Sequence, residues 1–198
     1  MRALEPVRMT VEEFLEWHMH QEERYELVDG VPLRMMTGAL KGHNIVTSNI
    51  VMSLGPQMKM RGCSTMSNDM GVETSNGVRY PDVVVDCTPP ASIDRVTRNP
   101  VLVVEVMSPS TRGMDLHDKL VEYRAIASIR LILLIESDVV AVNLHRREEG
   151  DVWTVERSHD LGATVEMREL GASLRVADIY DTLDPKIRAL LREVPGDT

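Results

Sequence analysis

Aromatic side chains are scarce in this chain: Phe, Trp and Tyr make up 4% of it, with a single Phe. That excludes a module that grips single-stranded nucleic acid by stacking bases on a platform of exposed rings. Cysteine is nearly absent as well. Cys63 and Cys87 form neither a CxxC pair nor a framework of staples, so they read first as two small apolar fillers in a protein of a reducing compartment, with a disulfide between them as the lesser alternative. No apolar run reaches the roughly 20 residues that cross a bilayer. The start, Met1 to Thr10, has no apolar signal-peptide core. The expectation is a cytoplasmic protein with no membrane partner. Positive charge is in deficit too, with 31 acidic residues against 22 basic and a net charge of −9. Such a surface disfavours a polyanion overall and leaves only a local basic groove to hold one.

What is present is enough apolar material for a core: 43% of 198 residues are hydrophobic. The expected organisation is one domain over 1–198, with an N-terminal helical extension at 1–24, a core at 25–183 and a C-terminal helix and tail at 184–198. Thr10-Val11-Glu12-Glu13 fits a capping box and predicts a helix to about His20. Tyr25 to Val28, the turn pair Asp29-Gly30, and Val31 to Met36 read as a hairpin. A second helix is expected from Lys41, with Val46, Ile50 and Leu54 as its buried stripe and a kink or restart at Gly55-Pro56. Asn76-Gly77 predicts a hairpin between strands at about 69–75 and 78–86, and Ala91 to Asn99 reads as a polar loop.

Two later runs, Val101 to Met107 and Leu131 to Ile135, are nearly continuous apolar segments, the pattern of strands buried on both faces. Between them a helix is expected from about Met114 to Ala127. Strand, helix, strand in this order favours a parallel crossover. Further strands are expected at 139–146, 152–157 and 164–169, then a short helix near 177–182 and a last one from Asp184-Pro185. The fold class is α/β (α+β).

Chemistry enters with two carboxylates inside apolar strands. Glu105 lies near the end of Val101 to Met107, and Asp82 opens Val83-Val84-Val85. A buried charge costs several kcal/mol unless compensated, so each needs a cationic partner. Alternation puts Glu105 on the face of Val101 and Val103, and Asp82 on that of Val84 and Asp86. If the strands pair suitably, the two converge on one divalent cation, and an all-oxygen donor set suits Mg²⁺ or Mn²⁺ better than zinc. Lys119, on the following helix, approaches the same place. The alternative is that Lys119, Arg79 or backbone donors satisfy both acids and nothing further happens.

These residues resemble a known pattern. Tyr25-Glu26-Leu27-Val28-Asp29-Gly30, His43, Pro81-Asp82-Val83-Val84-Val85, Val103-Val104-Glu105-Val106-Met107-Ser108-Pro109-Ser110-Thr111, then Asp115, Lys119 and Tyr123, are similar in order and spacing to the Uma2-type (DUF820) family of restriction-endonuclease-like proteins. The resemblance implies the PD-(D/E)XK fold: a mixed central sheet flanked by helices, here with an added N-terminal helix and hairpin. It further implies a divalent-metal site in which Asp82 and Glu105 are the acids and Lys119 the catalytic lysine. The Val106 carbonyl and Glu26 would be further metal ligands, with His43 and Asp115 as accessories. The lysine two places after the second acid in the general pattern is replaced by Met107. Ala127 to Ile132 also lacks the family's glycine and aromatic residues.

The expected function is a Mg²⁺- or Mn²⁺-dependent endonuclease acting on DNA, working as a homodimer through edge strands around 139–157. The alternative from another class is a catalytically inactive nuclease-fold scaffold that binds nucleic acid or protein. A two-carboxylate glycosidase, which needs neither lysine nor metal, ranks below both.

Overall fold

The computed structural model of the chain describes residues 8–35, 40–89, 91, 93–108 and 114–183. Its centre is a six-stranded sheet ordered β11-β10-β9-β8-β6-β3, from β3 (Ser64–Ser67), β6 (Val83–Asp86), β8 (Pro100–Met107), β9 (Leu131–Glu136), β10 (Val142–Arg147) and β11 (Trp153–Ser158). Within this sheet, among the described residues, the β8–β9 pair alone is parallel, because helix α3 (Met114–Ala125) forms the crossover between them. Its central strands β6, β8 and β9 are buried on both sides. On one face Val83, Val85, Leu102, Val104 and Val106 meet the stripe Val46, Ile50, Leu54 and Met58 of α2 (Lys41–Lys59). On the other, Val84, Val103, Met107, Ile132 and Leu134 meet Leu116, Leu120, Tyr123 and Ile126 of α3. Burial on both faces is why these strands are unbroken apolar runs.

A second sheet of five short strands, ordered β2-β1-β5-β4-β7, joins β1 (Tyr25–Val28), β2 (Val31–Arg34), β4 (Gly71–Glu73), β5 (Val78–Arg79) and β7 (Val96–Thr97). The Asp29-Gly30 turn takes positive φ at both residues, +48° and +77°, as a two-residue hairpin of this hand requires. Gly77 is required for another reason: a Cβ there would sit 1.9 Å from the Leu27 carbonyl oxygen. Leu27 and Val78 pack on Phe14 of α1 (Val11–His18), which the expected capping box starts at Thr10. The opposite face of this sheet, carrying Val72, meets the α3 side of the large sheet. The hairpin β12 (Thr164–Met167) and β13 (Ala172–Arg175), with α4 (Val176–Ile179), completes the α2-side core.

Four expectations change. The run 78–86 is not one strand: Tyr80-Pro81-Asp82 breaks it, sending β5 into the small sheet and β6 into the large one. Pro81, lacking an N–H, sits where neither ladder needs one. The loop 91–99 contains β7, paired in parallel with β4. Helix α2 continues through Gly55-Pro56 to Lys59, so it does not stop and restart there. The two cysteines are not separate thiols but a Cys63–Cys87 disulfide. Antiparallel pairing of β3 with β6 sets Ser64 opposite Asp86, so residues 63 and 87 are the next pair along. The inference of a reducing compartment, drawn from two unpaired thiols, loses its footing. The helix expected from Asp184-Pro185 lies outside the described residues, among which no helix is long and apolar enough to cross a membrane.

The disulfide closes a loop spanning 24 positions, which chain entropy values at ~3 kcal/mol. Reduction by dithiothreitol is expected to lower Tm by roughly 6–12 °C for a chain of this size. A Cys63→Ser/Cys87→Ser double variant should melt at the reduced temperature and ignore the reductant. An unchanged melt on reduction would refute the staple.

Candidate active site

Strand register decides where the two acids lie. Val83 of β6 is opposite Val104 of β8, so Asp82, one residue before β6, faces Glu105 across the pair. Directly opposed residues of antiparallel strands share a face, with Cβ atoms roughly 5 Å apart. That face is the α3 side, since Val84 and Val103 flank the two acids and pack there. Asp82 is fastened to the partner strand: the Val106 N–H donates to its Oδ2 at 2.7 Å.

Glu105 is buried, with 9% of its surface exposed, and two groups from α3 meet its Oε1. The Tyr123 hydroxyl donates to it at 2.7 Å, and Lys119 Nζ lies 3.4 Å away. Residues 119 and 123 are one helical turn apart, so α3 presents both from one face. Burial pushes the Glu105 carboxyl up to about 7. Lys119 pulls it down, while the negative charges of Asp82 and Glu26 push it further up. Burial also raises the Tyr123 hydroxyl well above its ordinary value, so it stays a donor.

Glu26 arrives from the small sheet. The β1–β5 register pairs Leu27 with Val78, which sets Glu26 opposite Arg79. Arg79 Nη1 donates to Glu26 Oε2 at 2.9 Å, while the Tyr80 N–H (3.2 Å) and Lys119 Nζ (3.2 Å) meet Oε1. Arg79 is 1% exposed and turns its other nitrogens onto Glu122 of α3, at 2.8 and 2.6 Å. An unbroken chain of charges thus runs Glu122–Arg79–Glu26–Lys119–Glu105, tying the small sheet, α3 and the large sheet together.

His43, in the first turn of α2, reaches Asp82 around the end of β6, with Nε2 3.1 Å from Oδ1. Its hydrogen bond with Asp82 raises the imidazole pKa against the opposing effect of burial. Its Nδ1 is buried without a partner. The side chain of Asp115 lies outside the described residues. Asp82, Glu105, Lys119, Glu26 and His43 are therefore brought to one neighbourhood. Three contributors come in addition. Glu122 drew no attention in the sequence, although Lys119 and Glu122 are spaced to share a helix face. Arg79 is one of several partners the sequence offers, and Tyr123 is matched by the family pattern without a role, although a buried tyrosine hydroxyl generally seeks an acceptor.

The donor set can be tested for a metal. Among the described residues no three His, Cys, Asp or Glu side chains are grouped to enclose an ion. Glu26 is engaged by Arg79, Lys119 and a backbone N–H. The two carboxylates Asp82 and Glu105 remain, with the Val106 carbonyl beside them. One or two carboxylates plus water is the arrangement Mg²⁺ accepts, and Asp82 and Glu105 face each other across one strand pair, as such a pair of ligands requires. The residues fit the ion.

Removing Arg79 would leave Glu26 buried and Glu122 half-buried with too little compensation. Arg79→Met is expected to cost about 3–5 kcal/mol in denaturant unfolding, most of it recovered by adding Glu26→Gln and Glu122→Gln. A cost below ~1 kcal/mol would show that the network is solvated and does not brace α3.

Comparison with known proteins agrees with this architecture. A crystal structure of a "putative nuclease belonging to DUF820" from Anabaena variabilis superposes with a TM-score of 0.71 at 17% identity, covering 87% of this chain and 97% of that one. Two uncharacterized proteins of Synechocystis sp. are similar in sequence. One is 29% identical over 177 residues, covering 87% of this chain and 92% of its own length; the other is 30% identical over 150 residues, covering 72% and 82%. The model of the Uma2 family, described as "Putative restriction endonuclease", matches residues 11–177. With its match running from α1 into α4 and taking in every acid of the charged chain, the protein belongs to the Uma2 family.

Proposed function

We propose that this protein is a Mg²⁺- or Mn²⁺-dependent endonuclease that hydrolyses phosphodiester bonds of DNA. The observation that carries the reading is Glu105 on β8 facing Asp82 across the strand pair, with Lys119 Nζ 3.4 Å from the Glu105 carboxylate. Asp82, Glu105 and the Val106 carbonyl would hold the ion, which supplies charge neutralisation at the scissile phosphate and acidifies an attacking water.

The chain's own residues account for the rest. In hydrolysis a water oxygen bonds to phosphorus, one P–O ester bond breaks, and the leaving oxygen takes a proton. Lys119 presents an ammonium beside Glu105, where it orients the water or offsets charge building on the phosphate oxygens. Glu26 holds that ammonium from the far side, so Lys119 is aimed before substrate arrives. Tyr123 fixes the Glu105 carboxylate by one oxygen, and the Val106 N–H does the same for Asp82. His43 shares Asp82 Oδ1 and steadies the acid from the α2 side. Glu26 on this reading is a positioning residue, since its oxygens are already engaged.

Incubation with plasmid or linear duplex in Mg²⁺ or Mn²⁺ should give cleavage that falls in Asp82→Ala or Glu105→Ala by more than the roughly 10–100-fold that loss of a mere outer-shell partner costs. Lys119→Met should lower kcat while leaving Mn²⁺ affinity within about threefold. Cleavage that survives both acid substitutions would belong to a contaminant. Mn²⁺ titration without cleavage would leave an inactive scaffold with an intact site.

Because the Glu105 carboxyl is raised to about 7, a proton competes with the ion near neutrality. The proton is bound below that value and gone above it. Mn²⁺ affinity measured by calorimetry should therefore tighten about tenfold from pH 6 to pH 8. Glu105→Gln should bind more weakly and lose most of that slope; a flat profile in the parent protein would contradict the assignment.

A further inference from the structure

Register extends the row that holds the two acids across the whole sheet. Glu105 is opposite Leu134 of β9, Leu134 opposite Asn143 of β10, and Asn143 opposite Arg157 of β11. All point to the α3 side, as Leu134 does. Arg157 is exposed on the outermost strand, three strand spacings or roughly 14 Å from Glu105. Between it and α3 lie further cations. Arg124 of α3 places Nη2 2.9 Å from His145 Nδ1 and stacks over Trp153, with Cζ 5.5 Å from the ring centroid.

Among the described residues neither Arg124 nor Arg157 forms an ion pair, in contrast to Arg146 on the opposite face, which binds Glu156 and Glu169. Arg147, also over Trp153, is paired with Asp151. Arg124 Nε and Asn143 Oδ1 are buried without hydrogen-bond partners. His145 reports the same field: burial, then Arg124 and Arg157, push its imidazole down to about 4, so it stays neutral beside them. Uncompensated guanidinium groups, one stacked on an indole and one projecting to solvent, suit phosphate oxygens.

We infer that the Arg124–Arg157 flank of β10 and β11 is a docking surface for the phosphate backbone of duplex DNA, placed to hold one strand while another stretch reaches Asp82 and Glu105. The inference rests on the nuclease reading for its substrate, but not on catalysis. A local cationic strip also explains how a chain of net charge −9 engages a polyanion at all. A second copy of this chain, added edge to edge at β11, fits less well. The α3-side residues of β11 are Trp153, Val155 and Arg157, so a two-fold pairing would bring two cationic flanks onto one face with no acid from that strand between them.

The test measures binding apart from cutting. Fluorescence anisotropy of a labelled duplex with Glu105→Gln protein, in chelator, gives Kd as a function of salt. Adding Arg157→Ala should raise Kd several-fold and flatten the plot of log K against log salt by about 0.9, the loss of one phosphate contact. Arg157→Lys should restore most of both, and Mn²⁺ affinity in the Glu105 parent should not move with Arg157→Ala. Unchanged Kd and slope, or no duplex binding by the starting protein, would overturn the proposal. So would a change in sedimentation mass in Arg157→Glu without loss of DNA binding, which assigns the flank to a second copy. Should binding respond while the parent never cleaves DNA, the surface stands and the nuclease reading falls.

Discussion

Lys119 stands between two buried carboxylates, 3.2 Å from Glu26 and 3.4 Å from Glu105, and much of the site depends on that bridge. Each acid alone in an apolar interior would carry a penalty of several kcal/mol. Together with Arg79 and Glu122 they form alternating charges in which each member faces an opposite one. The arrangement does more than offset a cost. It joins three elements that apolar packing alone would let slide, and it holds an ammonium beside a carboxylate with a raised pKa.

The displaced lysine follows from the same geometry. With Met107 two places after Glu105, the strand itself offers apolar packing and the ammonium comes from the helix that crosses over it. A helix supplies Lys119, Glu122 and Tyr123 on neighbouring positions of one face, so one rigid element sets a charge, its brace and a hydroxyl donor. On the other side of the sheet α2 brings only His43, and only because Asp82 sits in the bend where the strand has not yet begun. The α3 side thereby gathers the linked charges Glu122, Arg79, Glu26, Lys119 and Glu105, while the α2 side is mainly apolar apart from Arg146 and its acids.

Much of this was legible before any coordinates. The hairpin at Asp29-Gly30 follows from the only residue pairs that take that turn cheaply, and the capping box at Thr10 announces its own helix. Val101 to Met107 and Leu131 to Ile135 are runs so apolar that no half-exposed strand could carry them. The acids inside such runs demanded partners, and a lysine one crossover away was the natural one. Less legible was anything where local pattern is neutral. Pro81 signalled an irregularity but not that the chain changes sheets there, because ladder membership is a property of neighbours. The same holds for β7, two residues long, which exists only because β4 is beside it.

What the sequence by itself determined is the longer helices and the buried strands, and the fact that Asp82 and Glu105 could not be left bare; periodicity and the cost of buried charge are local quantities. What only the tertiary structure decided is register. A one-residue slip would turn Asp82 away from Glu105, part Cys63 from Cys87 and remove Arg157 from the acids' row. It also decided that Glu26, 6% exposed, belongs to the interior, since its strand becomes a lid only when the small sheet closes over α3. Pairing between distant strands is settled by the summed packing of both faces, and no stretch of chain carries that sum alone.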